Sequence, residues 1–172
     1  MALIVEDGSG SATAESYLSV AGADTYWTAH GAPSEWTDAV TAAKETALRI
    51  ATQYLDAAYG PRWQGQSTSS AQRLAWPRAA VVNLDGYMIA SDDLPRNLEE
   101  ATAEAALRQI TETAGLMPDV ASPGGVKSER VRVGPLEKDV VYLGAKDDFK
   151  MFSIIDALLL PFLESRTQVE RG

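Results

Sequence analysis

Apolar residues recur at helical spacing in four stretches of this chain, separated by glycine, proline and Ser/Thr punctuation. From Val20 to about His30 the residues Ala23, Tyr26, Trp27 and His30 share one face, with Ser19 placed to cap the start and Gly31 to stop the helix. From Thr37 to Tyr59, Val40, Ala43, Ala47, Ile50, Ala51, Tyr54, Leu55 and Ala58 keep the helical period for about six turns, ended by Gly60 and Pro61. A third helix is expected from Pro95 to about Ala114, with Leu98, Ala101, Ala105, Leu107 and Ile110 apolar and Gly115 as its cap. The fourth, Phe149 to Leu163, is strongly apolar through Phe149, Phe152, Ile155, Leu158, Leu159, Phe162 and Leu163, with Pro161 near its end.

The remaining segments lack that period. Leu3 to Val5 is a strand candidate, and Gly8 to Ser11 reads as a flexible turn or arm. Between Arg62 and Asp93 the chain reads as loop, a helical turn near residues 71 to 75, and loop again. An irregular stretch of that length is usually functional or an interface. Met117 to Gly125 is a Pro/Gly linker, after which Val131, Val133 and the run Val140 to Leu143 flank a Gly134-Pro135 turn and predict a hairpin. The pattern predicts a mainly α fold: a small helical bundle with a β-hairpin and a C-terminal helix. Residues 1–115 form its helical core with an N-terminal arm. Residues 116–172 form linker, hairpin and a final helix that either completes the same structural unit or projects as a docking arm.

Composition narrows the chemistry. The 172 residues are 45% hydrophobic, enough for one core. No run approaches the roughly 20 apolar residues of a membrane span, and the first ten residues have no basic leader, so the expectation is a cytosolic chain without a membrane contact. With no cysteine and one histidine, disulfides, thiolate sites and metal sites with two nitrogen or sulfur ligands are excluded. His30 fits a helix C-cap, and nothing near it signals a nucleophile. The doublets Asp92-Asp93 and Asp147-Asp148 each precede an expected helix and read as N-caps or first-turn anions. Gly8-Ser9-Gly10 lacks the Lys-Ser/Thr and the helix of a phosphate loop. No catalytic residue, metal site or cofactor is expected, and the chain is read as a non-enzyme.

The net charge of -9 is unevenly spread: -6 over residues 1–60, +3 over 61–80, -6 over 81–124, +1 over 125–150 and -1 beyond. Residues 61–80 contain no acid, and their Arg62, Trp63, Arg73, Trp76 and Arg78, with Tyr59 upstream, alternate cations with aromatics. Such a set can build a groove that stacks single-stranded bases. The reading that the acidic chain favours, since three arginines neutralise few phosphates, places Trp63 and Trp76 over the helix pair, with the arginines meeting acids of the same or a neighbouring subunit.

The order Val5-Glu6-Asp7-Gly8, Ala14-Glu15-Ser16-Tyr17-Leu18-Ser19-Val20, Ala23-Asp24-Thr25-Tyr26, Ala51-Thr52-Gln53-Tyr54-Leu55-Asp56, Trp63 and Gln72-Arg73-Leu74-Ala75-Trp76-Pro77-Arg78 resembles a family from the head genes of tailed phages and prophages, often labelled DnaT-like single-stranded-DNA-binding protein. It looks like the head-tail connector, or adaptor, class. That resemblance implies a structural virion protein, assembled in the host cytoplasm as a ring with the portal's symmetry, usually twelvefold. The ring would contact the portal protein and a tail or stopper protein and pass double-stranded DNA without binding it specifically. On this expectation Arg62, Trp63, Arg73, Trp76 and Arg78, with Phe149, Phe152, Ile155, Leu159 and Phe162, are assembly contacts, and Glu99, Glu100 and Glu104 line the channel. The alternative is a single-stranded DNA-binding protein of DnaT-like type.

Overall fold

The computed structural model describes residues 2–113, 115–117, 128–133, 136–141 and 152–164. Its helices are α1 (Val20–Ala29), α2 (Ser34–Thr37), α3 (Thr41–Tyr59), α4 (Arg96–Thr111) and α5 (Ser153–Leu159), and the fold is mainly α. Two 3-10 turns, Gly60–Arg62 and Leu160–Phe162, continue α3 and α5. Two antiparallel pairs complete it: β1 (Gln66–Ser67) with β2 (Arg78–Ala79), and the hairpin β3 (Ser128–Val133) with β4 (Leu136–Val141), whose register pairs Val133 with Leu136. Phe149, the expected linker beyond Met117, the Gly134-Pro135 turn and Asp147-Asp148 lie outside the described residues.

α1 starts as its sequence dictates, because the Ser19 hydroxyl accepts the Gly22 N–H at 3.0 Å. At its end the exposed His30 ring places Nδ1 2.7 Å from the Tyr26 carbonyl oxygen and stacks on the Tyr26 ring. The expected helix from Thr37 is divided: α2 ends at Thr37, and α3 begins only at Thr41. Trp36, almost wholly buried, anchors α2, and its indole N–H donates to Asp24 Oδ1 at 2.8 Å, which also receives Lys44 Nζ at 2.9 Å.

α3 and α4 run antiparallel, with Ala42–Ala47 beside Gln109 and Ile110 at one end. α4 is the central helix. Ala101, Thr102, Ala103, Ala105 and Ala106 are all fully buried, more than a single apolar face, and their small side chains let neighbouring helices approach. Asp92-Asp93 does not cap it: Pro95 stands at the N-cap with no side-chain capping bond.

α5 completes the core. Ile155 and Leu159 are fully buried, Phe162 and Leu163 nearly so, and Tyr59 O–H donates to Asp156 Oδ1 at 2.5 Å. The helix is shorter than the expected Phe149–Leu163, with Phe152 at its N-cap. The N-terminal arm is also fastened. Val5 bridges Ser16, and the buried Glu6 carboxylate accepts the Gly8 and Gly10 N–H groups through Oε1 and the Ser11 N–H through Oε2, at 2.9–3.0 Å. The amides that a phosphate loop would offer a ligand are here taken by the loop's own carboxylate.

Candidate nucleic-acid interface

The acid-free segment 61–80 leaves α3 through its 3-10 turn, and Trp63 then bridges Leu163. Gln64 N–H donates to the Phe162 carbonyl at 3.0 Å and Glu164 N–H to the Arg62 carbonyl at 2.7 Å, so the segment is tied to the end of the core. No helical turn forms at residues 71–75. Gln72 instead organises a loop: its Oε1 accepts Thr68 O–H at 3.0 Å and Ser69 N–H at 2.9 Å, while its Nε2 donates to the carbonyls of Leu74 and Pro77.

Each residue of the Gln72–Arg78 string has a structural task. Arg73 N–H donates to the Ser11 carbonyl, holding the arm, and Leu74 is buried. Ala75 N–H donates to Asp56 Oδ2 at 3.0 Å, and Trp76 N–H to Tyr17 Oη at 3.2 Å, with a cis peptide between Trp76 and Pro77. The Arg78 guanidinium donates to three carbonyls, those of Gln64 (2.7 Å), Gly65 (2.8 Å) and Ala75 (3.1 Å). Burial draws its basicity down, against the nearby Tyr17, Asp56 and Glu164. Arg78 is a staple between β2 and the strand before it. Gly65, at φ +65°, is required there, since a Cβ would stand 2.0 Å from the Ala79 carbonyl oxygen.

Of the two readings of Trp63 and Trp76, the structure bears out packing over the helices and not a stacking groove. Trp76 is fully buried, Trp63 is 3% exposed and Tyr59 is fully buried, forming with Phe162 a chain of ring contacts at 5.7–6.0 Å. These rings lie under the helix pair because burial of so much apolar area outweighs the polar indole N–H groups, which have no hydrogen-bond partner among the described residues. What remains exposed is polar and cationic. Gln66, Ser67, Thr68, Ser70 and Arg73 are exposed and Arg62 is half-buried. Arg73, its side chain 49% exposed, reaches Glu15 only at 3.9 Å, whereas Arg49 Nε holds Glu15 at 2.9 Å. That hydrogen bond from Arg49 is the main reason the Glu15 carboxyl sits below its ordinary range. Arg73 borders a cleft of about 380 Å³ with Gln53, Asp56 and Leu74.

The other expected contacts fall elsewhere. Ile155, Leu159 and Phe162 are core residues, and the half-buried Phe152 packs on Tyr54 with the Arg108 guanidinium 5.1 Å from its ring, so none of these offers an apolar docking face. Glu99 and Glu100 line a cleft of about 430 Å³ between α1 and α4. Glu100 is paired with Arg96 at 2.7 Å; Glu104 takes Arg108 at 2.6 Å and the Tyr26 hydroxyl at 2.8 Å. Burial, then Asp93 and Glu100, push the Glu99 carboxyl up. Among the described residues no three His, Asp or Glu side chains converge on a metal position, and no helix is long and apolar enough to cross a membrane.

One exposed feature is absent from the sequence-based expectations: Leu84, Tyr87 and Met88, each more than 70% exposed on a turn between β2 and α4. Its signal was present, since Asp85-Gly86 between Val81-Val82 and Tyr87-Met88-Ile89 is a hairpin pattern.

A family profile described as "Putative DnaT-like ssDNA binding protein" matches residues 1–172. No curated protein and no solved structure is significantly similar to the chain. The match corrects the connector expectation. What covers the whole chain is a description of nucleic-acid binding, and it overturns the reading as a bacteriophage virion adaptor with an oligomeric ring, a portal contact and a DNA channel.

Proposed function

Because the chain belongs to the family so described, we propose that it binds single-stranded DNA, using the exposed surface of residues 62–73. The family match over the full length is the observation that carries this reading. The surface itself supports it: Arg62 and Arg73 supply cations, Gln66, Ser67 and Ser70 supply uncharged donors for phosphate oxygens, and no acid interrupts residues 61–80. Phosphate contacts of this kind carry no base preference, so binding is sequence-independent.

The number of available cations sets the salt dependence. A single-stranded contact releases counterions with a slope of about -0.7 in log affinity per phosphate, so two arginines predict a slope of about -1.4. Anisotropy of a labelled oligonucleotide titrated with the full chain at several salt concentrations measures it. The expected result is binding at low salt that weakens with that slope, and a slope near zero for Arg62→Ala with Arg73→Ala. No binding at low salt would remove the proposal.

A further inference from the structure

The turn between β2 and α4 is fastened although its side chains are not buried. Val82 bridges Met88; Asn83 N–H donates to the Tyr87 carbonyl at 2.9 Å, Gly86 N–H to the Asn83 carbonyl at 3.0 Å, and Ile89 N–H to the Val81 carbonyl at 2.9 Å. The Asn83 side chain closes the tip from within, its Oδ1 accepting the Asp85 N–H at 3.0 Å and the Tyr87 N–H at 2.9 Å. Gly86, at φ +85°, supplies the left-handed step. The side chains presented are Leu84 at 74%, Tyr87 at 72% and Met88 at 74% exposure. Among the described residues Tyr87 is the one exposed Phe, Tyr or Trp; the others are in the core or half-buried against it. Three large apolar groups held in water on an ordered turn mark a contact surface.

We propose that this turn is a base-stacking site, in which the Tyr87 ring takes the face of one unpaired base and Leu84 and Met88 flank it. The inference rests on the single-stranded DNA reading above and gives it the aromatic platform that the buried Trp63 and Trp76 do not provide. Three observations favour a base as the occupant. The base of the turn is tied to the segment that carries the cations, since Val82 N–H donates to Gln64 Oε1 at 3.2 Å and Gln64 lies two residues from Arg62. Asp85 at the tip and Asp93 beside it repel phosphate, whereas a base is neutral and offers a π-face. Leu84, which flanks Tyr87 on the turn, also borders a cleft of about 340 Å³ with Asn83, Ile89 and Arg96, so the apolar surface continues into a recess with polar walls. Arg96, its side chain 84% exposed, is tied to Glu100 through Nε.

The test compares wild type, Tyr87→Ala and Tyr87→Phe as full chains, binding a labelled single-stranded oligonucleotide and the same oligonucleotide with abasic sites. A stacking contact predicts that Tyr87→Ala weakens binding roughly tenfold at every salt concentration, with the salt slope unchanged, and that Tyr87→Phe retains affinity. With the abasic strand, wild type and Tyr87→Ala should bind alike, whereas a merely structural role would weaken both strands equally. Wild-type binding that Tyr87→Ala leaves intact overturns the stacking site and leaves the function standing. No wild-type binding overturns the function and the stacking site with it.

Discussion

At the scale of single residues, Asp56 ties together three parts of the molecule. Its Oδ1 accepts the Tyr17 hydroxyl at 2.5 Å and its Oδ2 the Ala75 N–H, so α3, the N-terminal segment and the Gln72–Arg78 loop meet on one carboxylate. Burial, the largest influence, pushes that carboxyl from 3.8 up to about 6, against the hydrogen bonds of Tyr17 and Ala75 and the charge of Arg78. A folded-state value above the unfolded one means that the folded chain holds the proton more tightly. The resulting stability is present in full below the unfolded value and is lost as pH rises through the folded one. The difference corresponds to about 3 kcal/mol, most of it lost between about pH 4 and about pH 7. Urea denaturation of wild type and Asp56→Asn at those two pH values isolates this group from the other acids. Wild type should lose about 2 kcal/mol more than the variant between them. Equal pH dependence in the two proteins would show that Asp56 does not titrate in this window.

At the scale of elements, α5 decides between core helix and docking arm, which the pattern of apolar residues left open. Leu159 is fully buried, so Leu159→Ala should lower the stability of the isolated chain by about 2–5 kcal/mol, read from the denaturation midpoint. A loss below about 0.5 kcal/mol would mean that the helix is peripheral. α1 and α4 were legible because each carries a periodic apolar set between a start and a stop signal. The start of α3 was not, since Trp36 belongs to α2, and its long-range bond to Asp24 has no local sequence signature. The candidate site was legible in its charge, and its aromatics allowed two readings, of which the structure bears out the packed one. Arginine next to tryptophan looks the same in a stacking groove and in a staple, and only the burial of Trp63 and Trp76 separates them. The Gln72–Arg78 string is therefore chiefly a record of the fold. Leu84 and Tyr87 escaped notice because a five-residue turn shows no period, although Asp85-Gly86 marked it.

At the scale of the whole molecule, a chain of net charge -9 has to approach a polyanion, and the two cations of the proposed surface act within that field. Distance and salt decide how much the remaining acids matter. Glu35 and Asp38 are exposed at the start of the helical pair, before the first residue of α3, while the cationic surface follows its last. Arg73 is the nearer cation, beside the Glu15 that Arg49 holds partway along α3, whereas Arg62 lies beyond all 19 residues of that helix, a length of about 28 Å. That exceeds the screening length of about 8 Å at about 0.15 M salt, yet matches the roughly 30 Å of about 0.01 M salt. Glu35→Gln with Asp38→Asn should therefore raise affinity for single-stranded DNA about twofold to threefold at the lower salt and leave it unchanged at the higher. The same pair of titrations separates field from contact, because on the proposed surface the Arg62 and Arg73 variants should lose affinity through direct phosphate contacts. If the remote acids proved as influential at about 0.15 M as at about 0.01 M, the strand would have to pass close to α2, and the binding surface would lie at the opposite end of the helical pair from the one proposed.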